Sequence, residues 1–125
     1  MIAGVGNDMV DLRRLRAMLA RRPRLSQRLL TEEECNEFAA RKDAPDYLAG
    51  RIAAKEALAK ALGCGMRTPL TWQGVSVLAT DGAPAFSFAE PLQEYLRTRG
   101  IGNCHLSITH DGEYAAAVVV AEFEE

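Results

Sequence analysis

The spacing of apolar positions changes period along this chain, and each change marks an element. Residues 2–10 (IAGVGNDMV) are short, β-branched and glycine-containing, which predicts a buried strand ending near Asp8. Over residues 11–22, Leu12, Leu15 and Leu19 recur at helical spacing among arginines, the pattern of an amphipathic helix with a cationic outer face. Pro23 breaks it, and Leu25, Leu29 and Leu30 predict another turn or two of helix. Thr31 followed by Glu32, Glu33 and Glu34 reads as a capping box, with carboxylates where a helix N-terminus favours them, and predicts a helix to about Lys42. Asp46 opens the longest helical pattern, 46–62 (DYLAGRIAAKEALAKAL), closed by Gly63.

Beyond Pro69 the pattern becomes that of strands. Residues 71–79 alternate imperfectly at Trp72, Val75 and Val77, and Asp81-Gly82 turns the chain into a strand over 85–88. Residues 90–99 predict a further helix, capped by Gly100. Residues 104–109 set Leu106 and Ile108 on one face and His105, Ser107 and Thr109 on the other. Asp111-Gly112 predicts a type I′ hairpin into strand 113–123, whose residues 115–121 are apolar on both faces and need cover twice, from helices or from another subunit. The fold class is α+β, a single domain over residues 1–125.

At 48% hydrophobic and 26% charged residues, the 125-residue chain can bury a core, which excludes a disordered or collagenous protein. No apolar run reaches membrane-spanning length, and residues 2–6 lack the basic and apolar regions of a signal peptide. Cys35, Cys64 and Cys104 are odd in number and widely separated, so free thiols in a reducing cytoplasm are expected rather than a disulfide framework. The net charge of −2 conceals an asymmetry: seven arginines against Asp8 and Asp11 give residues 1–30 a charge of +5, while 8 basic and 15 acidic side chains give residues 31–125 a charge of −7. The N-terminal part is built to meet something negative.

Three places could carry chemistry. Glu56 and Lys60 are neighbours on one helix face, flanked by Ile52 and Ala53; small alanines there allow close approach of another surface or a ligand. The commoner fate of such a pair is a surface ion pair, and spacing alone favours that. Asp8 ends an apolar strand behind Gly4 and Gly6, but Gly4-x-Gly6-x-x-Met9 lacks the third glycine of a dinucleotide loop. An aspartate would repel a phosphate there unless a cation lay between them. Magnesium is commonly held by one or two carboxylates together with substrate phosphates, and Asp8 and Glu56 could supply those carboxylates, with Lys60 as a point charge for a phosphate oxygen. Asp8 could equally be the N-cap of a helix beginning near Val10. His105, Ser107 and Thr109 form a polar stripe suited to phosphate and hydroxyl hydrogen bonds or simply to an exposed strand face; His and Cys are too scattered for a zinc site.

Taken together, the chain resembles the holo-acyl-carrier-protein synthases, the short group of 4′-phosphopantetheinyl transferases. Gly4-Val5-Gly6-Asn7-Asp8-Met9-Val10 resembles the family's opening strand, Arg51 to Gly65 its signature helix, and His105 to His110 with Tyr114-Ala115 and Val118-Val119-Val120 its closing hairpin. Departures are Gln73-Gly74 after the tryptophan, Ala83 in place of a basic residue before Pro84, and Thr109 in place of serine. The resemblance implies an antiparallel sheet packed with a long helix, assembled as a homotrimer with active sites between subunits. It implies transfer of the phosphopantetheine arm of coenzyme A to a serine of an apo acyl carrier protein, releasing adenosine 3′,5′-bisphosphate. Asp8 and Glu56 would hold magnesium, Lys60 would stabilise phosphate charge, and His110 and Asp111 are further catalytic candidates. Arg51, Lys60, Gly63, Pro84 and His105 would bind coenzyme A. The acidic carrier would dock on Arg14, Arg21 and Arg24, with Arg22 and Arg28 in support. No membrane and no nucleic acid are expected as partners: the first aromatic residue is Phe38, so the arginine arm offers no stacking platform. A non-enzymatic, arginine-armed module for an acidic partner or nucleic acid is the alternative, and it requires Asp8, Glu56 and Lys60 to be scattered in space.

Overall fold

A computed structural model describes residues 1–42 and 44–125, and of Thr80 the backbone alone. The order is β1 (Ile2–Asp11), α1 (Leu12–Arg21), α2 (Leu25–Leu29), α3 (Glu32–Ala40), α4 (Ala44–Leu62), β2 (Val75–Thr80), β3 (Ala83–Phe88), α5 (Glu90–Thr98), β4 (Ile101–Asp111) and β5 (Tyr114–Phe123). The class is α+β as expected, but the strands form two antiparallel sheets rather than one: β1-β5-β4 and the hairpin β2-β3.

Helix α4 is the centre of the molecule. Its residues are apolar nearly all round, as a helix buried on every side requires, and it packs against β1, β5, β4, β2, α1 and α3. Ala53, Ala54, Ala57 and Leu58 are fully buried, joined by Leu70, Val75, Val77, Leu92 and Val119 in the main core. A second cluster, Leu12, Leu15, Leu30, Tyr47, Leu48, Ala49 and Ala115, fastens the N-terminal helices to the start of α4.

Strand β1 lies on α4 at backbone contact. A methyl group built on Gly4 would fall 1.9 Å from the Ala61 carbonyl oxygen, and one on Gly6 would fall 2.0 Å from that of Ala57. The small alanines of α4 therefore receive a strand of the same chain. The expectation of a buried strand is half right: Gly6 is buried against the helix, while Val5 and Met9 on the other face are 59% and 65% exposed. β5 is divided in the same way, with Ala115, Ala117, Val119 and Ala121 inward and Val118 outward. The sheet thus has one covered face and one face, apolar along β1 and β5 and polar along β4, that this chain leaves open.

The observed elements differ from the local signals by a few residues. The capping box is present, Thr31 Oγ1 accepting from the Glu34 amide while the Glu34 carboxylate accepts from the Thr31 amide, but α3 ends at Ala40. Residues 71–74 are a turn, so Trp72 is not on the strand. Asp81 and Gly82 both have positive φ (52° and 84°), the form of a type I′ turn. The β4–β5 turn instead has Gly112-Glu113 at its centre, with positive φ at Gly112 alone, and so follows type II′ rather than the expected I′. No helix among the described residues is long and apolar enough to cross a membrane.

Gly6→Ala tests the backbone contact. We expect a loss of about 3 kcal/mol, an overpacking cost, and a fall in Tm of roughly 10 °C for a domain of this size. An unchanged Tm by calorimetry would contradict it.

Candidate active site

β1 and α4 bring Asp8, Glu56 and Lys60 together. Asp8 faces the helix, on the same side of the sheet as Gly6 and Val10, with Ala117 and Ile108 as its neighbours across β5 and β4. It is not a helix cap. Asp11 takes that role, accepting from the Arg13 amide at 2.9 Å at the start of α1. Lys60 Nζ donates to Asp8 Oδ1 at 3.2 Å, a contact across 52 residues of sequence, in place of the expected surface pair with Glu56. Lys60 is mostly exposed, so this pair is worth little in stability.

The other Asp8 oxygen, Oδ2, is buried and has no hydrogen-bond donor when both carboxylates are ionised. A proton on Glu56 supplies one. Burial first, then a hydrogen bond to Asp8 and the Asp8 charge, push the Glu56 carboxyl up from 4.5 to about 7, against the pull of Lys60. Two carboxylates that want a cation or a proton between them fit a hard divalent ion, with further ligands from substrate phosphates and water. Among the described residues no group of three His, Cys, Asp or Glu could hold a metal by itself.

Asp8 stands where two concavities meet. One, of about 290 Å³, runs between β1, α1, α2 and α4; Glu56 and Arg14 line it with Leu15, Leu25, Leu29 and Trp72. The other, of about 570 Å³, opens toward the uncovered face of the sheet and is lined by Asn7, Lys60, Thr109 and Val118. A reacting centre at Asp8 is thereby open from two sides.

The remaining predicted residues lie elsewhere in the chain. His110 Nε2 is 3.0 Å from the Asp46 carbonyl, and Asp111 ends β4; neither lines either concavity. Arg51 stacks on the Tyr47 ring at 4.1 Å, donates to the Val77 carbonyl and pairs with Glu37. Gly63 follows α4 with φ +71°, Pro84 is on β3, and His105 lies on the open face of the sheet paired with Glu122. One chain does not gather these four around Asp8. The arginines divide clearly: Arg13 pairs with Asp11 and Arg16 with Glu113, whereas Arg14, Arg21, Arg22, Arg24 and Arg28 are exposed and have no ion pair among the described residues. Arg22, Arg24 and Arg28 line a further concavity of about 550 Å³.

Glu34 is expected from the sequence as part of a capping box, but not as the partner of Lys55. Both are fully buried, joined at 2.6 Å, and burial pushes the Lys55 ammonium pKa down while Glu34 holds it up. The signal was present: Ile52, Leu58, Ala59 and Leu62 make the helix face of Lys55 apolar, and a lysine there needs a buried acid.

Comparison with known proteins bears on this site. The model of the 4′-phosphopantetheinyl transferase superfamily matches residues 4–119. The chain is 43% identical over 129 residues to the holo-(acyl-carrier-protein) synthase of Polaromonas sp., covering 98% of this chain and 97% of that one. It is similar to the crystal structure of the Neisseria meningitidis holo-(acyl-carrier-protein) synthase, with a TM-score of 0.95 at 35% identity over 98% of this chain and 99% of the other. A Bacillus anthracis synthase in complex with coenzyme A (3′,5′-ADP) gives 0.83 at 34% identity, covering 99% of each chain. The chain belongs to the 4′-phosphopantetheinyl transferase superfamily. It is an enzyme of the holo-(acyl-carrier-protein) synthase kind, and the alternative of a non-enzymatic module falls with it, since Asp8, Glu56 and Lys60 are gathered rather than scattered.

In the metal-free protein the Glu56 carboxyl should titrate near pH 7 by carboxyl-carbon NMR. Asp8→Asn should lower the midpoint, while burial keeps it above 4.5. The folded-state pKa is raised, so the native protein holds the extra proton and this group's contribution to stability is lost as pH rises from about 4.5 through about 7. A midpoint of 4.5 in both proteins would refute this reading of the pair.

Proposed function

We propose that this chain transfers the 4′-phosphopantetheine group of coenzyme A to a serine hydroxyl of an apo acyl carrier protein, at Asp8, Glu56 and Lys60 with magnesium. The observation that carries the reading is the unpartnered Asp8 oxygen beside a carboxyl with a pKa near 7, at the meeting point of two concavities. The serine oxygen forms the new bond to phosphorus as the pyrophosphate P–O bond breaks, and adenosine 3′,5′-bisphosphate leaves with that bonding pair. Such a reaction depends on positioning and charge neutralisation, and two openings let nucleophile and leaving group lie on opposite sides of the phosphorus.

Asp8 and Glu56 would hold the magnesium ion, whose contribution when bound is to neutralise pyrophosphate charge. Lys60, lightly engaged with Asp8, turns to a phosphate oxygen as charge develops on it. The serine proton passes to the carboxylate pair, to Glu56 or by way of Asp8. The Thr109 hydroxyl, in the outer concavity, is placed to donate to a phosphate. His110 and Asp111 would act only in a site wider than the one that a single chain forms.

The acidic carrier docks on α1 and the segment after it, through Arg14, Arg21, Arg22, Arg24 and Arg28, which are exposed and have no ion pair among the described residues. Arg14 joins that surface to the catalytic cleft. Coenzyme A approaches from the open sheet face, where Val5, Met9 and Val118 also invite a second copy of the chain. A homotrimer covers that face and lets Arg51, Gly63, Pro84 and His105 of different subunits complete one coenzyme A site. Three unpaired cysteines suit the cytoplasm.

The test is intact-mass spectrometry of an apo carrier protein incubated with the enzyme, coenzyme A and magnesium. The carrier should gain one phosphopantetheine, and the gain should vanish with EDTA or with Glu56→Ala. Arg14→Glu with Arg21→Glu should slow transfer at low carrier concentration about tenfold or more, the cost of lost electrostatic docking, while leaving coenzyme A affinity intact. Light scattering of the active enzyme should give the trimer mass. Transfer that survives EDTA would remove the metal from the account, equal loss of both affinities would remove the docking assignment, and a monomeric mass would remove the shared site.

A further inference from the structure

The buried Lys55–Glu34 pair does more than fill the core. Three acceptors surround Lys55 Nζ: Glu34 Oε1 at 2.6 Å, the Trp72 carbonyl at 2.7 Å and the Leu29 carbonyl at 2.9 Å. An ammonium has three N–H bonds, so its capacity is filled. Glu34 is equally occupied, accepting from the Thr31 and Val77 amides at 2.9 and 2.7 Å. An apolar pair of the same volume would be no less stable, but it could not hold two backbone carbonyls at fixed points.

The residues that carry those carbonyls, Leu29 and Trp72, line the cleft together with Asp8 and Glu56, and Glu56 is the next residue after Lys55 on α4. Helix α2 has five residues, none fully buried, and is too short to hold its place by its own hydrogen bonds. Besides the packing of Leu29 on the second core cluster, hydrogen bonds fasten it to the Trp72 turn and to α4: Lys55 to the Leu29 carbonyl, and Gln73 Nε2 to the Gln27 carbonyl at 2.8 Å and to the Leu30 carbonyl at 3.4 Å. Arg24 caps this helix and Arg28 is on it, so the same contacts place part of the cationic surface.

We infer that Lys55 is a positioning residue for the carrier protein: it holds α2 and the Trp72 turn as one wall beside Glu56, so that the docking arginines and the cleft present the carrier's serine to the reacting centre. This rests on the proposed transfer reaction and adds to it which substrate Lys55 serves. Its removal acts on the carrier and spares coenzyme A.

The experiment compares Lys55→Met, Glu34→Gln and Gln73→Ala with the parent enzyme, reading KM for each substrate, Tm, and the fluorescence of Trp72, the single tryptophan. Lys55→Met should raise the carrier KM about tenfold or more and leave the coenzyme A KM within about twofold, a substrate-selective loss of binding. Its Trp72 emission should shift to longer wavelength and quench more readily with acrylamide. Glu34→Gln keeps both carbonyl contacts of Lys55 and should lower Tm without moving the carrier KM. Gln73→Ala, at the surface, should raise the carrier KM by a few fold and keeps the idea testable if Lys55→Met fails to fold. The inference is overturned if Gln73→Ala leaves carrier KM and Trp72 emission unchanged, if Lys55→Met shifts both KM values alike, or if carrier KM follows Tm across the series. A parent enzyme that transfers nothing would instead sink the proposed reaction, and the Trp72 signal would still report whether Lys55 holds the wall.

Discussion

The site depends on a contact with no side chain on one of its partners. Gly4 and Gly6 let β1 rest on the backbone of α4, with the Ala57 and Ala61 carbonyls where their own side chains would stand. Asp8 is two residues farther along the same face of the strand, and Glu56 and Lys60 are each one position before those two alanines on the helix. The spacing of strand and helix thus sets the carboxylate pair. A methyl group on either glycine must widen it, which is why packing and chemistry are here one constraint.

That proximity has an electrostatic cost, and the fold leaves it unmet. Two carboxylates are pressed together, one burying an oxygen without a donor and the other drawn up to a pKa near 7, with only an exposed lysine in partial compensation. A structural acid pair would be better buffered. Lys55 and Glu34, one residue and one helix away, show what the chain does when a charge is meant to be satisfied: every donor and acceptor is used. The contrast is between an acid pair whose charge the fold leaves unmet and a joint that is already closed.

Much of this was legible in the sequence, for reasons particular to each element. The run 46–62 was legible as the longest helix from its helical spacing, and of the two apolar faces of strand 115–121 this chain covers one. The capping box at Thr31 was legible because its two hydrogen bonds are local. Asp8 was ambiguous, since a cap and a metal ligand look alike until the helix start is known; it lies at Leu12, and Asp11 caps it. The Lys60–Asp8 pair spans 52 residues, beyond any periodic pattern, so the helical neighbour Glu56 looked the better partner. The division into two sheets was hidden for the same reason, because strand pairing at long range leaves no local trace.

The proposed divalent-cation site lies between Asp8 and Glu56, where β1 and α4 bring the two carboxyl groups together. Diffraction from crystals grown with manganese, recorded for anomalous scattering, tests it without reference to turnover. The account predicts a single strong peak within coordination distance of Asp8 Oδ2 and the Glu56 carboxylate, lost in Asp8→Asn. A peak elsewhere, or none at an ion concentration that supports transfer, would contradict it.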